Sequence, residues 1–392
     1  MDKISFEEFI IGKHVLVLEG YARQCLPFMK EFKKMGMEVT LLCNSKLDCG
    51  YSSRFADHKI IGKCDPDNYS ESEKYIVDLV KKGNYDLVFP LVDFSAGILA
   101  NHKDELSQYA VICTNDKNVF NKSNDKLEVM RICMDNGIPC PYTLFNIKST
   151  IDIVESKMRF PIVIKPRRGY GARGFHKIEN QEELYKIVRE NDINLEDYIV
   201  QECIPIESLA ASANMFIDKD GEIKSSFLYG CQRVYPLKGG TGTCDFTFDN
   251  SDIQDSCARL AKIMRLRGIN GIDMMIDSRD NVAKIIEINP RPLACSKIGF
   301  ISGVNQARQI IEYAFGYPVT PYKSYKSDMR VRMMQIDVLW FIKSPERFSA
   351  KQSWFSWKNT VDQTFSWKDP LPWFAFLIKG LLNLKKEEGK RK

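Results

Sequence analysis

The sequence predicts an α/β protein of several domains, with a small parallel β-α-β layer first and mixed strands and helices after it. Three observations carry that prediction. Short apolar runs alternate with helical stretches over residues ~10–115, each helix closed by a glycine before the next strand. A glycine-rich loop at 169–174 lies between two strand-like runs, and "IDMMID" (272–277) and "AKIIEIN" (283–289) read as two strands joined by a turn. Alternation of this kind is how a parallel sheet announces itself, because each parallel strand needs a crossover helix.

The 392 residues suffice for roughly two or three domains with cores of their own. A hydrophobic fraction of 44% and a charged fraction of 27% are ordinary for a globular chain. A net charge of +5 is too mild to argue for nucleic acid, and no basic stripe with interleaved aromatics runs along the chain. The 12 cysteines are scattered, without C-x-x-C or zinc-ligand spacing, and only 4 histidines are present. They read as buried free thiols in a reducing, cytoplasmic setting. The start, "MDKISFEEFI", is acidic and lacks the apolar stretch of a secretory signal.

In chain order, "HVLVLEG" (14–20) is an apolar strand ending in glycine. "QCLPFMKEFKKMGMEVTLLC" (24–43) is a helix with apolar residues at helical spacing, stopped by Gly36 and followed by the strand Glu38–Cys43. "YIVDLVKKGNYDLVFPLVD" (75–93) repeats the theme, with Gly83 as the stop and Asp93 after the strand. "YAVICTND" (109–116) adds another strand. A β-α turn that binds a dinucleotide needs several glycines, and "EGYARQ" (19–24) has one. That turn is therefore read as scaffold or as the wall of a second-substrate site. "SNDKLEVMRICMDNGIPCPYT" (123–143) is a helix capped by Ser123 or Asn124 and stopped by Gly137.

The loop in "VIKPRRGYGARGFHKI" (163–178) has the G-x-G-x-x-G spacing of Gly169, Gly171 and Gly174. A dinucleotide loop must pass from strand into helix, because the helix N-terminus holds the pyrophosphate. Here "FPIVIKP" gives a strand Phe160–Lys165, and "FHKI" alternates like a strand. Only then does Asn180 cap the helix "QEELYKIVREN". The loop is a hairpin tip, made basic by Arg167, Arg168 and Arg173, and able to close over a polyphosphate.

In "AKIIEIN", Glu287 and Asn289 are two apart and share one face of a strand. Asp273 comes from the partner strand. Three hard oxygen donors suit Mg2+ and leave places for phosphate oxygens.

Taken together, these elements resemble the ATP-grasp superfamily over residues ~10–315, in its carbamoyl-phosphate-synthase-like carboxylate–amine ligase branch; the order of glycine loop, hinge and metal strands carries the likeness. The resemblance implies an N-terminal Rossmann-like parallel layer followed by two α+β lobes that clasp ATP. The divisions would be 1–115, 116–200, 201–340 and a Trp-rich tail 341–392. It implies that Lys165 in "VIKP" and Lys126 in "NDKLEV" contact the phosphates, with Arg168, Gly169, Gly171 and Gly174 around them. In "YIVQECIPIES" (198–208) it places Gln201, Glu202, Cys203 and Ile204 at the adenine and Glu207 at the ribose. It makes Asp273, Glu287 and Asn289 the ligands of Mg2+ or Mn2+. Arg291, in "EINPR", would reach the γ-phosphate or an acyl phosphate. Arg233, in "LYGCQRVYPLKGGTGTCDF" (228–246), would hold a carboxylate or acyl phosphate at the acceptor end; the alternative there is a plain hairpin turn.

The implied activity is an ATP-dependent ligation of a carboxylate to an amine, or to a thiol, through an acyl phosphate, with a small amino acid or sugar acid as substrate. Such chemistry is positioning and charge neutralisation. No Ser/His/Asp or Cys/His set is evident in the sequence. The alternatives are a non-catalytic ATP-binding regulatory or membrane-associated assembly protein, and an NAD(P)-dependent oxidoreductase, which the hairpin argument disfavours. Both substrates would be small molecules, and a homodimer is compatible with the chain.

The tail holds four of the five tryptophans and ends "LPWFAFLIKGLLNLKKEEGKRK". Its apolar part is short of the ~20 residues a spanning helix needs. The favoured reading is a helix packed on the protein's own body or on a second subunit. The other is a segment lying in a membrane interface, Trp at the headgroups and Lys on anionic lipid, at the inner membrane face. In that case the enzyme would serve a lipid-linked step such as amide formation in surface-polysaccharide assembly.

Overall fold

The structure, a computed structural model, describes residues 5–169, 173–237 and 239–390, with side chains as far as Leu382. The N-terminal layer is a five-stranded sheet of β1 (His14–Val17), β2 (Glu38–Cys43), β3 (His58–Ile61), β4 (Leu87–Phe89) and β5 (Val111–Ile112). Its order is β3-β2-β1-β4-β5 and every pair is parallel. The helix Cys25–Lys34 buries Cys25, Leu26, Phe28, Met29 and Phe32, the 3-4 spacing of a helix covering a sheet. Gly36, at φ +85°, lets the chain leave that helix toward β2. The first strand is shorter than its apolar run, because Glu19 turns the chain at φ +61°.

A four-stranded sheet follows, ordered β6-β9-β7-β8, from β6 (Thr143–Leu144), β7 (Ile162–Pro166), β8 (His176–Ile178) and β9 (Tyr198–Glu202). β7 and β8 are antiparallel, with Ile162 opposite Ile178 and Ile164 opposite His176. The glycine loop is thus a hairpin connection, as its flanks predict. Asn180 caps the helix Gln181–Glu190 by accepting the Glu183 N–H at 2.9 Å.

The third sheet has seven strands: β10 (Leu209–Ile217), β11 (Ile223–Tyr235), β12 (Thr241–Phe248), β13 (Gly268–Ile276), β14 (Ala283–Asn289), β15 (Arg330–Arg332) and β16 (Thr360–Asp362). Its order is β14-β13-β10-β11-β12-β15-β16. Helices Lys126–Asp135 and Ser251–Ile263 bury Val129, Met130, Cys133, Cys257 and Leu260 against it. Helix Gln306–Ala314 packs Ala307, Ile310 and Ile311 into the N-terminal core beside Phe28 and Phe32, so the first layer and the large sheet share one apolar seam.

Two local expectations are corrected. The cap of helix Lys126–Asp135 is Asp125, whose side chain accepts from Leu127 N at 3.0 Å and Glu128 N at 3.4 Å. Ser123 is unavailable because it ends the preceding helix Lys117–Ser123, where its hydroxyl donates to Val119 O at 2.7 Å. The segment after 341 is also more built-in than a tail, since β16 pairs with β15 inside the large sheet. Among the described residues, no helix is long and apolar enough to cross a membrane.

Candidate active site

Three elements meet where the small and large sheets face each other. β7 presents Lys165. The first residue of helix Lys126–Asp135 is Lys126, whose backbone N–H donates to Arg167 O at 3.0 Å. Its Nζ donates to Gly169 O at 2.9 Å and lies 3.1 Å from Glu287 Oε2 on β14. Burial lowers the Lys165 ammonium to about 8; Glu287 acts the other way, and the nearby Lys126 charge adds to the lowering. Two lysines so close form a cationic seat that an anion would relieve.

The glycine hairpin is fastened at its root. Arg167 makes a two-pronged contact to Asp125, Nε to Oδ1 at 3.2 Å and Nη2 to Oδ2 at 2.7 Å, while Arg168 Nη2 stands 3.5 Å from the same carboxylate. Arg173 lies 3.5 Å from Asp67 of the N-terminal domain. Gly169 adopts φ +125°, a conformation closed to other residues. Gly174, at φ +69°, would drive a Cβ to 2.9 Å from Pro166 Cγ. Gly171 lies outside the described residues.

On the large sheet, Asp273 of β13 sits directly opposite Glu287 of β14, and Asn289 follows two residues on. Cross-strand neighbours have Cβ atoms about 5 Å apart, so the carboxylates share one face. Ser212 of β10 donates to Asp273 Oδ1 at 2.6 Å, and Asn289 Nδ2 donates to Oδ2 at 2.8 Å. Burial, then the charge of Glu287, pushes Asp273 up to about 6. Two carboxylates set opposite each other on one face are a fit for a divalent cation, and the donors are the hard oxygens Mg2+ prefers. Among the described residues no group of three His, Cys, Asp or Glu could hold a metal alone. The fit is therefore two carboxylates with the Asn289 amide, other positions being left to phosphate oxygens.

Arg291 extends this ribbon toward the N-terminal layer. Its Nη2 donates to Asn289 Oδ1 at 2.8 Å and to Asp93 Oδ2 at 2.7 Å. Its buried Nε, and Asp93 Oδ1, have no hydrogen-bond partner among the described residues.

The hinge residues line β9 and its exit. Gln201 is buried, with Nε2 donating to Thr143 Oγ1 at 2.9 Å. Glu202 accepts from Tyr142 N at 3.0 Å, Arg279 Nη2 at 2.9 Å and Lys284 Nζ at 3.3 Å. Burial acts to raise Glu202, but these three donors outweigh it and its carboxyl ends below the usual range. Arg279 and Lys284 also grip Asp277, clamping β9 to the β13–β14 turn. Sequence reasoning missed this clamp; the dense charges of "IDSRDNVAK" were its signal. Cys203 N reaches Pro161 O at 3.3 Å, Ile204 is half-buried, and Glu207 is exposed in the turn before β10.

Arg233 stands apart from the others. It is buried in β11, with Nε donating to Asp337 Oδ1 at 2.8 Å and Nη2 to Oδ2 at 3.0 Å, and its guanidinium 5.2 Å from the Trp340 ring. The fork expected at an acceptor carboxylate is spent inside the protein.

Residues 123–295 match the family described as the ATP-grasp domain. The chain is 23% identical over 261 residues to a D-aspartate ligase of Enterococcus faecium, covering 60% of this chain and 61% of that protein. It is 26% identical over 242 residues to a carbamoyl-phosphate synthase of Methanobrevibacter smithii, covering 59% and 65%. The chain thus matches less than two thirds of the length of either relative. A biotin carboxylase from Campylobacter jejuni shares the fold, with a TM-score of 0.68 at 16% identity over 82% of this chain and 75% of that one. With a glycine hairpin, a hinge strand and a carboxylate strand pair inside it, the matched segment 123–295 is an ATP-grasp domain.

Proposed function

We propose that the protein is an ADP-forming ligase that joins a carboxylate to an amine. The observation that carries this reading is the meeting at Lys126, whose Nζ touches both the glycine hairpin and Glu287. ATP would lie between the sheets, its adenine along Gln201–Ile204, its ribose toward Glu207 and its phosphates on Lys126, Lys165, Arg168 and the hairpin backbone. Mg2+ or Mn2+, held by Asp273, Glu287 and Asn289, would supply charge neutralisation at the phosphates.

Lys126 and Lys165 then orient the γ-phosphoryl group, and a substrate carboxylate oxygen attacks its phosphorus as the bond to ADP breaks. Arg291 faces the acyl phosphate formed. An amine, having lost one proton, attacks the acyl carbon; the C–O bond to phosphate breaks, and the new amide nitrogen sheds a second proton. Incubation with Mg2+, ATP and a panel of amino acids and sugar acids, followed by mass spectrometry, tests this. ADP release only with a matched acid and amine supports it. Nucleotide binding with no ADP release under any pair points instead to an ATP-binding regulatory or assembly protein.

The C-terminal helix Leu371–Lys390 extends the reading to location. One side is docked: Lys379 Nζ reaches Asp48 Oδ1 at 2.6 Å, and Phe376 packs on the N-terminal core. Leu371, Phe374, Ile378, Leu381 and Leu382 are 48–64% exposed, an apolar stripe at helical spacing. Between Lys379 and Lys392 the sequence has six basic and two acidic residues. Apolar stripe and cationic end together fit an anionic membrane surface, and with it a substrate linked to lipid or destined for surface polysaccharide. Co-sedimentation with phosphatidylserine vesicles at low salt should be lost in a chain ending at Lys368. If both chains stay in the supernatant, or the stripe is covered in a dimer on size-exclusion chromatography, the membrane reading fails.

A further inference from the structure

The N-terminal sheet changes direction at its centre, since from β1 the order runs to β2 and β3 on one side and to β4 and β5 on the other. In open parallel sheets a crevice forms at such a switch point, beyond the carboxyl ends of the two diverging strands. Here those ends carry Glu19–Gln24 after β1 and Leu91–Asp93 after β4. The two segments are sewn together: Gln24 Nε2 donates to Leu91 O at 2.8 Å, and Leu91 N donates to Glu19 Oε2 at 3.0 Å. The crevice faces the large sheet, where Asp273, Asn289 and Arg291 form the reacting end.

Three side-chain atoms here are buried without a hydrogen-bond partner among the described residues: Arg23 Nε, Asp93 Oδ1 and Arg291 Nε. Among the described residues, the hydrogen bond that the Arg23 side chain makes is from Nη1 to Met333 Sδ, at 3.4 Å. Its charge acts on the opposite wall, on buried Asp245, Cys231 and Cys295. Buried polar atoms are nearly always satisfied, and an orphan set facing one crevice marks the outline of a ligand. The set is two donors and one acceptor. Arg291 belongs to the metal end, where an acyl phosphate would form. Arg23 asks for an anion at the far end, and Asp93 asks for a donor between them.

We infer that the amine substrate is itself an amino acid, seated in the crevice between the first β-α turn and the metal strands, with its carboxylate on Arg23 and its ammonium on Asp93. This rests on the ligase reading and narrows its second substrate to a molecule bearing both charges. A simple amine would satisfy Asp93 and leave the buried Arg23 Nε without a partner. A sugar hydroxyl would meet neither need as well as the ionic groups do. Residues of the first β-α turn and of the segment after β4 then set specificity, and neither segment is among those assigned to the nucleotide.

The test is calorimetric titration of the full chain with Mg2+ and a non-hydrolysable ATP analogue present. The probes are the common amino acids in both enantiomers and the decarboxylated amine of each. At least one amino acid should bind, with its decarboxylated amine weaker by about 10–100-fold, the worth of a hydrogen-bonded charge contact. Arg23→Gln should erase that discrimination without changing affinity for the nucleotide analogue, and Arg23→Lys should restore part of it. If no amino acid binds, if the amines bind as tightly, or if Arg23→Gln keeps the discrimination, the inference is wrong while the ligase reading stands. Failure of the Mg2+–nucleotide analogue itself to bind would remove both.

Discussion

Asp337 is the carboxylate whose loss should cost this protein most outside its active site. It is fully buried and accepts from Arg233 through both oxygens, from Arg332 Nε at 2.9 Å and from Thr243 Oγ1 at 2.8 Å. Asp337→Ala would leave two guanidiniums, at 3% and 1% exposure, facing each other with no anion. Removing one partner of a buried ion pair costs about 3–5 kcal/mol. Arg332 keeps the Trp354 and Trp357 rings, each at 4.7 Å, and Arg233 keeps Trp340 at 5.2 Å. These contacts are present in both proteins and cancel in the difference, so the expected loss stays at about 3–5 kcal/mol. Arg233→Met should cost less, about 2 kcal/mol, because Asp337 retains Arg332 and Thr243. Replacing all three charges by Met, Leu and Met should recover most of the loss.

The assay is urea unfolding followed by tryptophan fluorescence. All five tryptophans lie between 340 and 373, so the signal reports this segment. The Asp337→Ala midpoint should fall by roughly 1 M or more. An unchanged midpoint would refute the triad argument. An Arg233→Met protein that keeps its midpoint but loses turnover would return Arg233 to the acceptor site, where its sequence context first put it.

Glu287→Ala should abolish metal-dependent ADP release in a folded protein, because it removes an oxygen ligand and the partner of Lys126; wild-type-like turnover would sink the metal assignment. Lys165→Ala should weaken ATP binding and turnover more than Arg167→Ala, since Arg167 spends its fork on the Asp125 cap; equal or inverted effects on nucleotide affinity would show misplaced phosphate contacts. Burial raises Glu19 from 4.5 to about 7, although Ser95, the Leu91 N–H, Cys64 and Arg291 act against it. The folded protein therefore holds a proton that the unfolded chain releases, and stability falls as pH rises through that window, by about 3 kcal/mol. Glu19→Gln should then be stabilising at pH 8 and near neutral at pH 5, and thermal melts whose difference does not grow over that range would contradict it.

The parts of this molecule that were legible in the sequence are those fixed by local chemistry. Gly36, Asn180 and the alternation of "FHKI" act within a few residues, and the helix stop, the helix cap and the glycine hairpin follow from them. The pairing of "IDMMID" with "AKIIEIN" also follows from the short polar turn between them, whereas a register shift between Asp273 and Met274 is what sets Asp273 opposite Glu287. Partnerships made across the chain were not legible. Arg233 and Asp337 are 104 residues apart, and nothing near Arg233 shows that its fork is taken. Nor does anything near Ser123 show that its hydroxyl turns back into the preceding helix, which hands the cap to Asp125. β15 and β16 are three residues each, too short to carry a period, and they join the sheet only because β12 offers an edge.

The same distinction separates the two halves of the active site. The proposed phosphate and metal half is built from short motifs readable in the sequence, and it is already paired: Lys126 neutralises Glu287, and Asn289 and Ser212 hold Asp273. A Mg2+–nucleotide arriving there would exchange one set of charge contacts for another, which would favour ready release of ADP as well as binding. The half beyond Arg291 is assembled from the first β-α turn, the end of β4 and the large sheet, and it keeps buried groups unpaired. Unpaired groups make a site selective, since a ligand lacking the matching charge leaves the cost in place. The nucleotide half is therefore the portion that sequence similarity can recognise, and on the amino-acid inference the discrimination between substrates would reside in Arg23 and Asp93, at the switch point of the N-terminal sheet.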